Sequence, residues 1–344
     1  MKQIHAYLMG ATMITASAIF SAGCSKSTDS DEDLIGNWKR ADDFEGNARG
    51  EAVSFTIGDY AYVSTGSTIT ERFKDLWEYN LSRRYWTQMA ELPGNARNSA
   101  VAFAIGTKGY VGTGYDGVSR LNDFWEYDQV ANAWSRKADF GGTARYDAVA
   151  FSVGGKGYIA CGYDGNYLKD VWEFTPGATA GDAGSWTQKA SVGGSKRRAA
   201  QAFVVNGVAY ICSGNNNGEL LSDLWSFNPT ANEWTEKNKI YNYTDDTFDD
   251  DYSGIARYNG TTVVMGNYVY LTTGYSSSLT STTWRYDPAN DRWLQKTGFE
   301  GAAREGAVSF TLNNRGFVLT GISGSDVKDN AYEFLPDAEQ VDND

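Results

Sequence analysis

The eleven tryptophans of this chain sort into two columns, and that regularity limits what the sequence can fold into more than any other feature. Trp38, Trp86, Trp134, Trp186, Trp234 and Trp293 stand 48, 48, 52, 48 and 59 residues apart. Trp77, Trp125, Trp172, Trp225 and Trp284 form the second column, whose sixth place is taken by Tyr332. An arginine column runs between them: Arg49, Arg97, Arg145, Arg197, Arg257 and Arg304. Each of these arginines is followed 13 residues later by Tyr or Phe and 17 residues later by Gly, from Tyr62 and Gly66 to Phe317 and Gly321. Chance does not produce six such matches, so the chain is an array of six related units. Each unit holds four short runs rich in β-branched and aromatic residues, separated by glycine or polar turns. In the second unit they are AVAFAIG, KGYVGTG, NDFWEYD and AWSRKA. This predicts one four-stranded antiparallel sheet per unit. Such a sheet is apolar on both faces and buries them only by stacking on its neighbours.

The glycine that ends the second strand, the aromatic pair in the third (Trp77 and Tyr79, Trp125 and Tyr127) and the tryptophan in the fourth resemble the kelch-repeat family. The chain departs from that family in having one glycine where two are common, and in lacking a histidine after the arginine. The resemblance implies an all-β fold, a six-bladed kelch-type β-propeller over residues 34–336, with four antiparallel strands per blade. The order of pieces predicts how the ring closes: the array opens on a fourth-strand tryptophan, Trp38, and ends on a third strand, residues 331–335. An N-terminal strand therefore completes the C-terminal blade, removing free sheet edges.

Composition then excludes whole classes of function. Lys and Arg number 30 against 43 Asp and Glu, a net charge of −13, which disfavours attraction to phosphate backbones and makes nucleic acid an unsuitable partner. The one histidine, His5, lies in a segment expected to be removed. Without it, triads built on histidine and histidine-held metals fall away. Cys24, Cys161 and Cys212 are too few and too scattered for a thiolate metal site or a disulfide framework, and the last two are expected to be buried, separate thiols. No cofactor and no metal is therefore expected.

Residues 1–23 read as an export signal: Lys2 is the single charge, an apolar stretch follows, and Ser21, Ala22 and Gly23 precede Cys24. Ser-Ala-Gly-Cys resembles a bacterial lipobox, with Ser21 where leucine is usual. That implies lipidation of Cys24 and a membrane anchor, with plain secretion as the alternative. Residues 24–33 read as an acidic tether and residues 337–344 as an acidic tail. The location these imply is the outer membrane, its external face included, or otherwise the periplasm or the medium.

In an antiparallel blade, the loop from the fourth strand to the next first strand and the loop from the second to the third leave on one side. That side carries the arginine column and the residues after the glycine column. Two readings of the arginines stand. Arg97, Arg145, Arg197 and Arg304, with Arg198 added in the fourth unit, would ring one mouth of the channel and take an anionic group by forked hydrogen bonds. Alternatively each pairs with a neighbouring blade, for instance with Asp75, Asp123, Asp170 or Asp223, and serves the repeat. A ligand seldom has sixfold symmetry, so function is sought where units differ. After the glycine come Tyr115, Tyr163 and Tyr275, while the fourth unit has Asn216 within an asparagine triplet. Tyrosine faces and amides suit sugars, and the same residues also serve as turn packing. An acidic, aromatic insertion at 237–256 reads as a lid, a protein-binding loop, a calcium site or a solvated loop.

The leading expectation is a cell-envelope binding module for a glycan or a surface protein. The rival, resting on similarity to six-bladed kelch N-acetylneuraminate epimerases, is an epimerase or mutarotase acting on an acidic sugar. Its candidates by position are Arg97, Arg145, Arg304, Glu51 and Glu305. A purely structural scaffold is the third reading.

Overall fold

Asn37–Arg40 pairs antiparallel with Ala331–Leu335, placing Trp38 opposite Phe334 and joining the two ends of the array in one sheet. The strand order of that sheet runs Asn37–Arg40, Ala331–Leu335, Arg315–Leu319, Val308–Leu312, so the N-terminal strand is the outermost of the sixth blade. This is the closure that the sequence predicts. The structure, a computed structural model, describes residues 34–179, 181–240, 255–342 and 344. Residues 1–33, with Cys24, and residues 241–254 of the acidic insertion lie outside the described residues.

The other five blades follow chain order, each a four-stranded antiparallel meander. The first comprises Val53–Ile57, Tyr60–Ser64, Leu76–Asn80 and Tyr85–Met89, and the second Val101–Ile105, Lys108–Gly112, Phe124–Asp128 and Ala133–Arg136. The third to fifth begin at Val149–Val153, Gln201–Val205 and Thr261–Met265. The first strand of each blade contacts that of the next, and the sixth contacts the first, which makes a closed six-bladed β-propeller. No α-helix occurs among the described residues.

Alternation along the strands explains the stacking. In Val53–Ile57 the positions Val53, Phe55 and Ile57 are buried between blades, while Ser54 turns toward the axis. The equivalents Ala102, Ala150, Ala202, Thr262 and Ser309 are also small and line a channel of about 310 Å³. Between blades the fit is of ring against backbone. A Cβ placed at Gly109 would lie 2.2 Å from Phe55, and one at Gly157 would lie 2.1 Å from Phe103. Glycine is required there because the preceding blade's phenylalanine occupies the side-chain position. Cys161 and Cys212 are buried and unbonded to one another, as expected.

Candidate functional site

The arginine column is placed inside the blades. Arg49, Arg97, Arg145, Arg197, Arg257 and Arg304 are all fully buried. Arg97 shows why. Its guanidinium donates to Asp123 Oδ1 and Oδ2 at 2.6 and 2.7 Å, to the Thr113 carbonyl at 3.0 Å and to the Asn95 carbonyl at 2.9 Å. The Trp125 indole donates to the same Asp123 Oδ2 at 2.7 Å. Burial alone would raise the Asp123 carboxyl; Arg97 and Trp125 outweigh it and hold it below the usual carboxylate range. Arg49 with Asp75, Arg145 with Asp170 and Arg197 with Asp223 repeat the arrangement, each with its tryptophan. In the last two blades the acid's place is taken by Thr282, a partner of Arg257, and by Asn330, a partner of Arg304.

This corrects two expectations. The guanidinium groups of Arg97, Arg145, Arg197 and Arg304 do not form an open cationic mouth, because each is fully buried and turned to partners within the fold. The second reading holds for its partners, Asp75, Asp123, Asp170 and Asp223, but the side chains do not cross to a neighbouring blade. Each binds the blade that its own loop opens, and the backbone does the crossing: the amides of Gly66, Gly114, Gly162, Gly214, Gly274 and Gly321 donate to the carbonyls of Arg97, Arg145, Arg197, Arg257, Arg304 and Arg49. These glycines have φ between 94° and 103°, and a Cβ at Gly114 would lie 2.8 Å from the Asn98 carbonyl. One arginine and one glycine per repeat thus staple consecutive blades.

Two residues beyond each arginine lies a second ring. Glu51, Ser99, Asp147, Ala199, Asn259 and Gly306 all have φ between 50° and 60°. Each amide donates to the carbonyl of its predecessor at 2.8 to 3.1 Å, and the amide of Glu51 closes the circle on Gly306. Five of the six are not glycine, so the left-handed backbone is held against its ordinary preference. The following residues, Ala52, Ala100, Ala148, Ala200, Gly260 and Ala307, line the channel. The hydrogen-bonded ring therefore frames the channel mouth.

Side chains that differ between blades gather on this frame. Glu51 accepts hydrogen bonds from Asn98 and, at 3.1 Å, from the Ser99 hydroxyl. Glu305 accepts from Asn259 at 3.0 Å. Asp147 lies 3.6 Å from the Arg198 guanidinium, with side-chain exposures of 13% and 34% respectively. Burial and the charge of Glu51 push the Asp147 carboxyl up to about 7, against the Ser99 hydroxyl and Arg198, which favour the anion. Burial raises the Glu305 carboxyl as well. Asp147 therefore feels the carboxyls of Glu51 and Glu305 on one side and Arg198 on the other.

Tyrosines complete the mouth. Residues one past the arginine and one past the glycine exchange backbone bonds, as Asn98 with Tyr115, Tyr146 with Tyr163, Arg198 with Asn215 and Tyr258 with Tyr275. Tyr146 stands 5.6 Å from both Tyr115 and Tyr163 between ring centroids, Tyr163 stands 5.2 Å from Tyr167, and Tyr258 stacks on Tyr275 at 5.2 Å. The Arg198 guanidinium lies over Tyr163 and Tyr167 at 5.4 and 5.7 Å. Arg72 lies over Tyr115 at 5.2 Å and Arg120 over Tyr163 at 5.5 Å. Asn216 sits in a small hairpin opposite Glu219.

Of the residues singled out from sequence, Arg198, Tyr115, Tyr163, Tyr275, Glu51 and Glu305 lie on this face, half-buried. Arg97, Arg145, Arg197 and Arg304 do not reach it. Asp147, Tyr146 and Tyr258 were not foreseen, although they stand at fixed offsets of one or two from the arginine column.

Comparison with known proteins agrees with this architecture. A family model described as the Kelch motif matches residues 196–239 and 256–297. The solved structure of YjhT superposes with a TM-score of 0.69 at 14% identity, covering 85% of this chain and 95% of that one. No curated protein matches the sequence. Solved chains that match number 812, so the fold by itself singles out no activity. The chain is a six-bladed β-propeller that carries Kelch motifs.

Proposed function

We propose that the chain is a binding module that receives a glycan, free or carried on a surface protein, at the mouth framed by Glu51, Ser99, Asp147, Ala199, Asn259 and Gly306. The observation that carries this reading is the convergence of Tyr146, Tyr163, Tyr258 and Tyr275 with Arg198 and the carboxyls of Glu51, Asp147 and Glu305 at the mouth. Tyrosine rings offer flat apolar faces to sugar CH groups, the carboxylates accept from hydroxyls, and Arg198 takes a carboxylate or sulfate. The frame is rigid, so little ordering cost falls on binding. A glycan array probed with the full chain and with the double substitution Tyr163→Ala, Arg198→Gln tests it. Specific hits that the variant loses support the reading, and an array without specific hits overturns it.

One observation favours a second reading, cofactor-independent epimerisation or anomerisation of an acidic sugar. Asp147, with its carboxyl near 7 beside Arg198, is suited to exchange a proton near neutral pH while the arginine holds an anionic substrate group. An NMR anomerisation assay with sialic acid separates the two. Attachment to the cell envelope through a lipid on Cys24 belongs to the same proposal and rests on the residues preceding that cysteine. Membrane fractionation of Cys24→Ala tests it.

A further inference from the structure

The face beside the mouth contains the same three-residue arrangement twice. Arg72 of the first blade lies over Tyr115 of the second, and Arg120 of the second lies over Tyr163 of the third. Each arginine also rests against a glycine two residues past its tyrosine. A Cβ at Gly117 would lie 2.7 Å from Arg72 Nη1, and one at Gly165 would lie 3.8 Å from Arg120 Nη2. Both glycines have positive φ, 98° and 117°, so each turn opens a cradle for the arginine of the blade before. Arg72 and Arg120, Tyr115 and Tyr163, Gly117 and Gly165 are each 48 residues apart. The arrangement is confined to this sector: the residues at the corresponding bridge positions of the later blades are Tyr167, Leu220, Leu279 and Val327.

Packing does not account for it. Arg120 is exposed and has no hydrogen bond or ion pair among the described residues beyond its backbone bridge to Tyr115 and its place over Tyr163. Among the described residues the Arg72 side chain donates only to the Asn98 side-chain carbonyl, at 2.8 Å, and no carboxylate pairs with it. Both guanidinium groups thus stand on the loop face without a carboxylate among the described residues, in a chain of net charge −13. Between the second and third blades Arg120, but not Arg72, borders a crevice of about 520 Å³ lined also by Tyr115, Ser119, Thr143 and Asp164 among others. The nearby acids are turned to their own loops. Asp116 accepts from the amides of Val118 and Ser119 and from Asn95, and Asp164 from the amide of Asn166 and the hydroxyl of Thr143.

We propose that this sector is a binding strip for an acidic oligosaccharide, with two successive anionic sugars each held by one arginine–tyrosine pair, running outward from the mouth. The inference rests on the glycan reading of the mouth and deepens it by naming a charged, repetitive chain as the ligand. Duplicated subsites one blade apart match a ligand whose own units repeat. Each guanidinium takes a sugar carboxylate, each tyrosine faces a ring, and Thr143, Ser119 and Asp164 meet hydroxyls. An acidic peptide would bring carboxylates but few hydroxyl donors for Asp164.

Calorimetric titration of the full chain tests this, with hexamers of galacturonate, of hyaluronan and of sialate as probes, their shortest units alongside, and neutral maltohexaose as control. The expected result is that at least one acidic hexamer binds at least about tenfold more tightly than its shortest unit. The double substitution Arg72→Ala, Arg120→Ala should remove that gain, bringing the hexamer to the affinity of the short unit measured on the same variant, with the melting temperature unchanged. Equal affinity for long and short probes overturns the strip and leaves the mouth reading standing. Hexamer binding undiminished in the double variant, or matched by maltohexaose, overturns the strip in the same way. Failure of every acidic sugar, short or long, overturns both, and binding of polyglutamate in place of the sugars replaces the oligosaccharide with a peptide partner.

Discussion

Arg97 and Asp123 meet in a two-pronged ion pair, 2.6 and 2.7 Å, at which the Trp125 indole also ends. One carboxylate therefore links the arginine and tryptophan columns whose repetition makes the fold visible. Arg97→Ala strands a largely buried carboxylate and should cost about 3–5 kcal/mol, the range for breaking a buried pair from one side. Arg97→Lys keeps the charge without the fork and should fall between. Urea denaturation of the two variants checks this, and wild-type stability in Arg97→Ala would count against a structural role for the ion pair.

Arg304 supplies the opposite experiment. It donates to Asn330 at 2.6 Å, its Nη2 is buried without a hydrogen-bond partner, and burial pulls the guanidinium down to about 10. Asn330→Asp would give this blade the acid that the first four possess. It should add about 1–3 kcal/mol, the range for a hydrogen bond to a charged group. A thermal melt that does not rise would show that the sixth blade is built around the amide.

Asp147 makes stability depend on pH in a definite sense. Its folded-state carboxyl lies near 7, above the ordinary value of 3.8, so the folded chain holds a proton there that the unfolded chain has released between pH 4 and 7. The stabilisation is complete below the unfolded value and is lost as pH rises through the folded one. Asp147→Asn should therefore raise the melting temperature at pH 8 and leave it nearly unchanged at pH 4. A shift of equal size at both values would contradict the linkage.

Ring closure predicts unequal costs at the two ends. Trp38 is fully buried, 5.0 Å from Phe299 and 4.6 Å from Phe334 between ring centroids, and donates to the Thr297 carbonyl. Trp38→Ala should cost about 3–5 kcal/mol. Ala338, Val341 and Asp344 border the same strand, where the Asp344 carbonyl accepts from the Arg40 amide and its carboxylate from Asn37. Removing residues 338–344 should cost less, because these contacts lie at an exposed edge. Calorimetric melts of the two variants compare them directly.

The fold was legible because packing makes the same demand in every blade. Tryptophan, arginine and glycine recur at fixed spacing, and their offsets alone indicate four strands and the closure at Trp38. The site was legible only in part. A column shows that a residue repeats, which favours a structural role for Arg97 and Arg304, but not which way its side chain points, so the ligand reading stays open beside it. Asp147, Tyr146 and Tyr258 sit where the repeats disagree, and only the pairing of neighbouring loops brings them together. Arg72 and Arg120 gain meaning from tyrosines on the next blade, a relationship that no single repeat contains.

The central claim is that the asymmetric mouth, not the repeated arginines, receives the ligand. Binding isotherms for the tightest array hit, measured on wild type and on Tyr163→Ala, Arg198→Gln, test it most directly. The variant should lose at least about tenfold in affinity, with a fall in melting temperature smaller than that of Arg97→Ala, since both side chains are half-buried and lie outside the cores between blades. Undiminished binding by the variant would contradict it.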